Sequence, residues 1–324
     1  VPTVKLLPGG EQFAVEGEDS ILDAALFAGL AMPYGCSAGN CGLCRARVVS
    51  GSLRQVRHSD FRLSEAERAQ GYALMCCAAP LGELLIEASL AHGAAEIPLQ
   101  RVNAHVRNKE LLSPQVMLLE LLTSRASRLR FLAGQGARLE AGGLTTSLPI
   151  ASCPCEERRL QFHVCRAPGD AFAAHVFDAL RPGEQVTVEG PHGDFVLRED
   201  GELPLVFVAF GREGFAPVKS VIEHAMSLEA QRPIELYWIA AHAGELYQAN
   251  LCRAWADAMD QFRFAPIVSS PAPQAALAAA LGPSAELSAR DFYLAGGAAA
   301  VAGARGWLLE RGLPARQLIE WSPG

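Results

Sequence analysis

The chain has 324 residues, half of them hydrophobic and 19% charged, with a formal net charge of −7. That balance suits two or three domains with packed cores and excludes a disordered chain. No basic stripe is present to meet nucleic-acid phosphates, and no window approaches the roughly 18 to 20 apolar residues of a membrane span.

The first ten residues, "VPTVKLLPGG", lack the basic-then-apolar layout of a secretory signal, and the absence of an initiating Met points to trimming at this end. The nine cysteines are irregularly spaced. Thiolate ligands in a reducing compartment fit that pattern better than a disulfide scaffold, so a cytoplasmic location is expected.

Residues 1–90 read as a small α+β unit. "TVKLL" and "EQFAVEG" are expected to pair across the Pro8-Gly9-Gly10 turn. "SILDAALFAGL" has helical apolar spacing, with Ser20 as N-cap. After "YGCSAGNCGLC" (34–44) come a strand, "RARVVSG", a short helix, "LSEAERAQ", and a closing strand, "ELLIEA".

Cys36, Cys41 and Cys44 are spaced C-x4-C-x2-C, the plant-type [2Fe–2S] pattern, with a fourth cysteine expected far downstream. Three thiolates fit one compact loop only if it wraps tightly, and Ser37, Ala38, Gly39, Asn40 and Gly42 supply the small residues for that. Their backbone N–H groups can then point at the sulfurs. A structural zinc site would favour paired knuckles instead. In "LMCCAAP", Cys76 and Cys77 both offer the fourth sulfur. The cluster is expected near the surface.

"SLAHGAAEIPLQ" reads as a linker, placed at 91–100. Residues 101–200 alternate short strands with Gly and Pro turns: "QVMLLELL", "ARLEA", "LPIAS", "LQFHVCR", "QVTVEG" and "DFVL". One helix, "AFAAHVFDAL", interrupts them, and an antiparallel barrel is expected. From 201 to 324, four strands, "PLVFVAF", "IELYWIA", "FRFAPIVS" and "DFYLA", alternate with helices. That rhythm predicts a parallel, doubly wound sheet.

"GPHGDF" (190–195), "GFAPVKS" (214–220) and "ELY" (245–247), behind an N-terminal cysteine loop, carry a resemblance over essentially the whole chain. It resembles the reductase components of bacterial ring-hydroxylating dioxygenases and the reductase of deoxysugar biosynthesis, in the ferredoxin–NADP reductase superfamily. The resemblance implies a β-grasp ferredoxin domain, an antiparallel FAD-type barrel and an α/β nucleotide-type domain. In that family NAD(P)H gives a hydride to FAD, which passes electrons singly to the cluster and on to an oxygenase. The resemblance also implies Cys76 as the fourth ligand, through Leu74-Met75-Cys76, with Cys77 a buried neighbour.

The positions that meet ligands in the family differ here. Where the family has R-x-Y-S against the flavin, this chain has Thr146, Leu148 and Pro149, followed by Ile150. Its G-G-x-x-S phosphate motif reads Gly169-Asp170-Ala171-Phe172-Ala173. The A-G-G-T-G loop for the dinucleotide is Phe210-Gly211-Arg212-Glu213-Gly214. A like charge about 4 Å from a phosphate costs on the order of 4 kcal/mol at an effective dielectric near 20, and Arg212 would offset part of that. The Arg after the second strand is Ala241, and the C-G-P-P turn is Ala295-Gly296-Gly297-Ala298. Trp321 stands where relatives place an aromatic over the flavin, and it could equally cap the last strand. The altered cofactor positions are thus Leu148, Pro149, Ile150, Gly169, Gly211, Glu213, Gly214 and Trp321. They leave open whether FAD binds in an altered mode, and they weigh against NAD(P)H use.

Among the other residues, Cys153 and Cys155 read as small thiols packed in and beside a strand. A redox or second metal pair, with Cys165, is the functional alternative. Cys252 reads as core, His192 as a polar turn residue, His163, His175, His224 and His242 as structural, and "CEERRLQ" as a solvated face. No catalytic residue is assigned. The leading expectation is a [2Fe–2S] protein that passes single electrons to or from a redox partner such as an oxygenase. The alternatives are an NAD(P)H-dependent flavin iron–sulfur reductase and a flavin-free structural or assembly subunit.

Overall fold

The computed structural model describes all residues except 35–36, 91–95, 98, 125–127, 157, 199–200, 229–231, 271, 283–285 and 324. Its strands fall into three main sheets, each over its own core.

The first sheet is mixed. β1 (Thr3–Leu7) and β2 (Gln12–Ala14) pair antiparallel across the Pro-Gly-Gly turn, as the sequence predicts. β7 (Leu84–Glu87) is not an edge strand. It lies between β1 and β3 (Arg45–Ser50), with β5 (Tyr72–Leu74) outside β3. β7 lies in the middle because Leu84 and Ile86 face the core at 3% and 0% exposure. A two-stranded sheet, β4 (Leu53–Gln55) with β6 (Ala78–Pro80), flanks the cysteine loop. α1 (Ile21–Phe27) begins at Ser20, whose side chain accepts from Asp23 N. α2 (Glu65–Ala69) starts with a reciprocal Ser64–Glu67 capping box.

The second sheet is antiparallel, in the order β11-β10-β13-β8-β9-β12. Its strands are β8 (Gln100–Ser113), β9 (Val116–Thr123), β10 (Gly136–Ala141), β11 (Leu144–Pro149), β12 (Arg159–Cys165) and β13 (Gln185–His192). Ala151 N donates to Gln161 O at 2.7 Å, so the chain after β11 reaches β12 and curls the sheet toward a barrel. The strand expected at "LPIAS" is displaced upstream, because Leu144–Pro149 pairs with β10 and the chain then turns away. "DFVL" is not a strand. Phe195 and Leu197 leave the sheet and pack into the third core. α3 (Ala171–Asp178) covers the end of the sheet near β11 and β12.

The third sheet is parallel, in the order β16-β15-β14-β17-β18, built from β14 (Leu205–Phe210), β15 (Ile234–Ala240), β16 (Phe262–Val268), β17 (Asp291–Ala295) and β18 (Leu318–Trp321). α4 (Phe215–Ser227), α5 (Ala249–Ala258), α6 (Pro273–Leu281) and α7 (Ala298–Glu310) connect them. All six residues of β14 are buried, as a central parallel strand requires. Among the described residues no helix is long and apolar enough to cross a membrane.

The three units meet at one seam. Asp23 of α1 pairs with Arg128 at 2.8 Å, Arg130 donates to Ala31 O at 2.8 Å, and Tyr34 Oη donates to Leu129 O at 3.3 Å. A Cβ at Gly29, where φ is +79°, would stand 3.1 Å from the His224 ring, so α1's exit loop also rests against α4. From the other side, Ser220 Oγ donates to Ser152 O at 2.7 Å and Lys219 Nζ to Ala151 O at 3.1 Å.

Candidate iron–sulfur site and reductase module

Two chain segments distant in sequence bring sulfur together. Cys44 Sγ lies 3.2 Å from Cys76 Sγ, and both thiols are buried. Cys41 is half-buried on the same loop, where Leu43 N donates to its sulfur at 3.5 Å, and the Leu43 side chain is 53% exposed. Cys36 lies outside the described residues. Cys77, beside Cys76, points its sulfur toward His58 O at 3.5 Å and is 3.6 Å from Cys76 Sγ.

The loop takes this path because two glycines permit it. Gly39 and Gly42 have φ of +81° and +73°. A Cβ at Gly39 would stand 2.7 Å from Cys77 Sγ, and one at Gly42 2.4 Å from the Phe61 ring. Ser37, at φ +49°, shares the left-handed region that non-glycine residues rarely enter. The Gly39 backbone amide hydrogen-bonds to Cys76. The hydrogen bond from Cys44 lowers the Cys76 thiol against the opposing effect of burial, helped by Cys77, Gly39 and Arg57. The same contact, with burial, raises Cys44. The shared contact favours the thiolate of Cys76 over that of Cys44, and the glycine cradle brings backbone close to it. These soft donors and this cradle fit a [2Fe–2S] cluster.

The flavin positions are arranged differently. On β11, Leu148 and Pro149 pair with Ala137 and Gly136, and neither carries a hydroxyl or a guanidinium. Ile150 is fully buried in the core of the second sheet. Gly169, at φ +80°, leads into α3, but the first turn of that helix is closed from within. Asp170 is its N-cap, and its Oδ1 accepts from Ala173 N at 2.9 Å. A helix start can attract a phosphate through its unpaired N–H groups and dipole. Here the chain's own carboxylate occupies a donor and brings the charge.

The loop after β14 is likewise held by the chain itself. Trp238 Nε1 donates to Gly211 O at 2.8 Å, and Tyr247 Oη donates to Arg212 O at 3.2 Å. Arg212 and Glu213 pair at 3.2 Å. Gly214 must be glycine, because a Cβ there would meet Ala295 O at 2.2 Å. Trp321 is part of β18, paired with Ala295, and its side chain packs partly into the third core.

Residues 4–81 match the 2Fe-2S iron-sulfur cluster binding domain, and residues 103–197 the oxidoreductase FAD-binding domain. The chain is 30% identical over 266 residues to the CDP-6-deoxy-L-threo-D-glycero-4-hexulose-3-dehydrase reductase of Yersinia pestis, covering 82% of this chain and 79% of that one. The chain belongs to the ferredoxin–NADP reductase superfamily. An aromatic O-demethylase reductase subunit from Amycolatopsis is 32% identical, over 81% of this chain and 79% of that one. In structure, the Amycolatopsis cytochrome P450 reductase GcoB aligns over 99% of this chain and 98% of that chain, at 28% identity and a TM-score of 0.62. The ferredoxin reductase of carbazole 1,9a-dioxygenase, at 21% identity, shares the fold with a TM-score of 0.61.

Within this superfamily the chain is an iron–sulfur electron-transfer protein with a reductase-like module. Its second domain is of the FAD-binding type, yet the residues at the two flavin motifs do not fit a flavin held by guanidinium, phenol, hydroxyl and an open helix start.

The structure corrects two of the leading sequence readings. Cys153 and Cys155 are joined in a disulfide, which corrects their reading as packed thiols. Cys165 is apart from them, near Arg212, Glu213 and Glu245, and burial raises its thiol to about 12. The "CEERRLQ" stretch is not simply solvated either. Arg159 donates to Glu120 at 2.8 Å, and the Glu120 carboxylate is 9% exposed. Cys252 is core, as expected.

Proposed function

We propose that this protein passes single electrons between a [2Fe–2S] cluster, held by Cys36, Cys41, Cys44 and Cys76, and a partner protein of the oxygenase type that similar reductases serve, in the cytoplasm. The observation that carries the reading is the approach of Cys44 and Cys76 within 3.2 Å under the Gly39–Gly42 turn. When bound, the cluster supplies one-electron chemistry without a proton. The chain's residues do the rest: Gly39 offers its N–H to the Cys76 sulfur, Arg57 donates to Cys76 O at 3.4 Å, and exposed Leu43 presents the loop to a partner. The proposed units are a ferredoxin domain over 1–90, a linker over 91–100, of which 91–95 and 98 lie outside the described residues, a barrel over 101–200 and a nucleotide-type domain over 201–324. In this reading the barrel and parallel sheet seat the ferredoxin unit and its partner, or hold a flavin in a non-standard mode, and no nicotinamide step is assigned to the chain.

The match of residues 103–197 to a FAD-binding domain favours a second reading, an NAD(P)H-dependent flavin iron–sulfur reductase with the flavin in an altered mode. One preparation separates them. Anaerobic protein is assayed for iron, sulfide and acid-released flavin, then mixed with NADH or NADPH. The first reading expects two irons and two sulfides per chain and a cluster reducible by dithionite but not by nicotinamide, whether or not flavin is released. Stoichiometric flavin with nicotinamide bleaching of the cluster establishes the second. Protein without iron and sulfide defeats both.

A further inference from the structure

Between the barrel and α4 lies a disulfide that the electron-transfer reading does not use. Cys153 and Cys155 are bridged across the single residue Pro154. The two cysteines are not equivalent. Cys153 is 2% exposed, whereas Cys155 is half-buried. Around Cys153 the structure gathers polar groups: its sulfur is 3.8 Å from His224 Nδ1 and 3.7 Å from Ser227 Oγ, and it accepts from Cys155 N at 3.2 Å. Pro154 faces a crevice shared with Leu26, Gly29, Tyr34, Leu129 and His224, where the ferredoxin unit meets the other two.

We propose that Cys153–Cys155 is a thiol–disulfide exchange site for a dithiol reductant, set at the seam between the iron–sulfur unit and the reductase module. Exchange needs an accessible sulfur to attack and a leaving sulfur whose thiolate is stabilised. Cys155 supplies the first. Cys153 supplies the second, because its thiolate inherits the Cys155 N–H and lies within reach of the His224 ring. In the first step a thiolate of the dithiol attacks Cys155 Sγ, the Cys153–Cys155 bond breaks, and Cys153 leaves as thiolate. In the second, the reductant's other thiolate attacks the mixed disulfide at its own sulfur and releases Cys155. The balance is one protein disulfide plus one dithiol giving one protein dithiol plus one oxidised reductant, two electrons and two protons moving together. This site stands independently of the function proposed above, since no step of the exchange passes through the cluster.

The test uses the whole cluster-loaded chain, with cluster absorbance followed as a check on folding. Trypsin would release residues 139–158, between Arg138 and the bond after Arg158, a peptide whose two cysteines are Cys153 and Cys155. The native protein is alkylated with iodoacetamide before and after equilibration with reduced and oxidised dithiothreitol. The expected result is an unlabelled, bridged peptide without reductant and a doubly alkylated one in excess dithiothreitol, with the fold retained. With oxidised glutathione as probe, C153S should capture a mixed disulfide at Cys155 at least about tenfold faster than C155S does at buried Cys153. Two alkyl groups on the untreated, air-equilibrated protein would overturn the proposal. So would a bridge that resists excess dithiothreitol until the protein is unfolded, or equal capture by the two variants.

Discussion

Asp23 Oδ1 and Arg128 Nη2 meet at 2.8 Å across the seam, with side chains 6% and 3% exposed. The contact is charge to charge, since Asp23 Oδ1 makes no aligned hydrogen bond. Arg57 pairs with the other carboxylate oxygen and also reaches Cys76 O, so one carboxylate ties α1, the cysteine site and the barrel together. Breaking a buried pair by removing one partner costs about 3–5 kcal/mol. Asp23→Asn leaves Arg128 buried without its counter-charge and is expected in that range by urea unfolding. Arg128→Met should cost less, because Arg57 still faces Asp23. Burial alone would raise the Asp23 carboxyl, but Arg128, Ser20 and Arg57 together hold it below its ordinary 3.8. A depressed carboxyl stabilises the fold fully above the unfolded value and loses that contribution as pH falls through the folded one. The urea midpoint should therefore drop on acidification below about pH 4, and more steeply in the wild type than in Asp23→Asn.

The fourth ligand is decided by neighbours one residue apart. Cys76 contacts Cys44 and the Gly39 amide, whereas Cys77 faces His58 O. Cys76→Ser should lose nearly all iron and sulfide, and Cys77→Ser should keep a near-wild-type visible spectrum. Loss in Cys77→Ser with retention in Cys76→Ser would exchange their roles.

Gly42 is costly to substitute. Alanine would meet both a left-handed φ and the Phe61 ring at 2.4 Å. The strain is of order 1–3 kcal/mol, concentrated in the cysteine loop. Gly42→Ala should show reduced iron incorporation during expression, measured as iron per chain. Full incorporation would mean that the loop reaches its ligand geometry by another path.

Much of this architecture was legible because local signals agreed with one another. The Ser20 cap, the Ser64-x-x-Glu67 box and the buried run of β14 each name their element in the sequence. The glycines between Cys36 and Cys44 likewise announce a loop that must wrap. What escaped was set by partners far along the chain. β8 is 14 residues long, but its charged outward side masks the period-2 pattern of Val102, Ala104 and Val106. Phe195 looks like a strand residue, yet its ring packs on Tyr293 at 5.7 Å in another unit. The Cys153–Cys155 bond depends on a turn whose shape the sequence does not specify. The flavin positions show the converse case: Asp170 reads as a substitution in a phosphate motif, and only the structure reveals it as the cap of α3.

His163 gives the pH dependence on the other side of the barrel. Burial, aided by the charge of Lys219, lowers its ring to about 3. Its Nδ1 lies 2.9 Å from Tyr247 Oη, which in turn holds Arg212 O. A depressed histidine is neutral in the fold, while the unfolded chain takes up a proton near 6.5. Stability from this group is therefore complete above pH 6.5 and drains as pH falls toward 3, by up to on the order of 4 kcal/mol. His163→Phe removes the proton sink and should flatten the thermal-melting profile between pH 6.5 and 4, at a cost at neutral pH of about 1 kcal/mol for the lost hydrogen bond. A parallel profile in the variant would show that His163 does not govern this window.

Asp170 separates a structural cap from a vestige of ligand binding. If its carboxylate serves α3, Asp170→Ala should lower stability by about 1 kcal/mol, the usual cost of losing an N-cap, and Asp170→Gly by only a few tenths. Neither change should bring flavin into the purified protein, because Leu148 and Pro149 still offer no polar side chain. The decisive variant combines Asp170→Gly with Thr146→Arg, Ala173→Ser, Leu148→Tyr and Pro149→Ser, which restores guanidinium, phenol, hydroxyls and an open helix start at once. Tighter flavin binding by that variant than by the wild type, read by fluorescence quenching, is expected if these side chains alone close the site. Equal binding by both would place the cause in the barrel's backbone and sink the side-chain explanation.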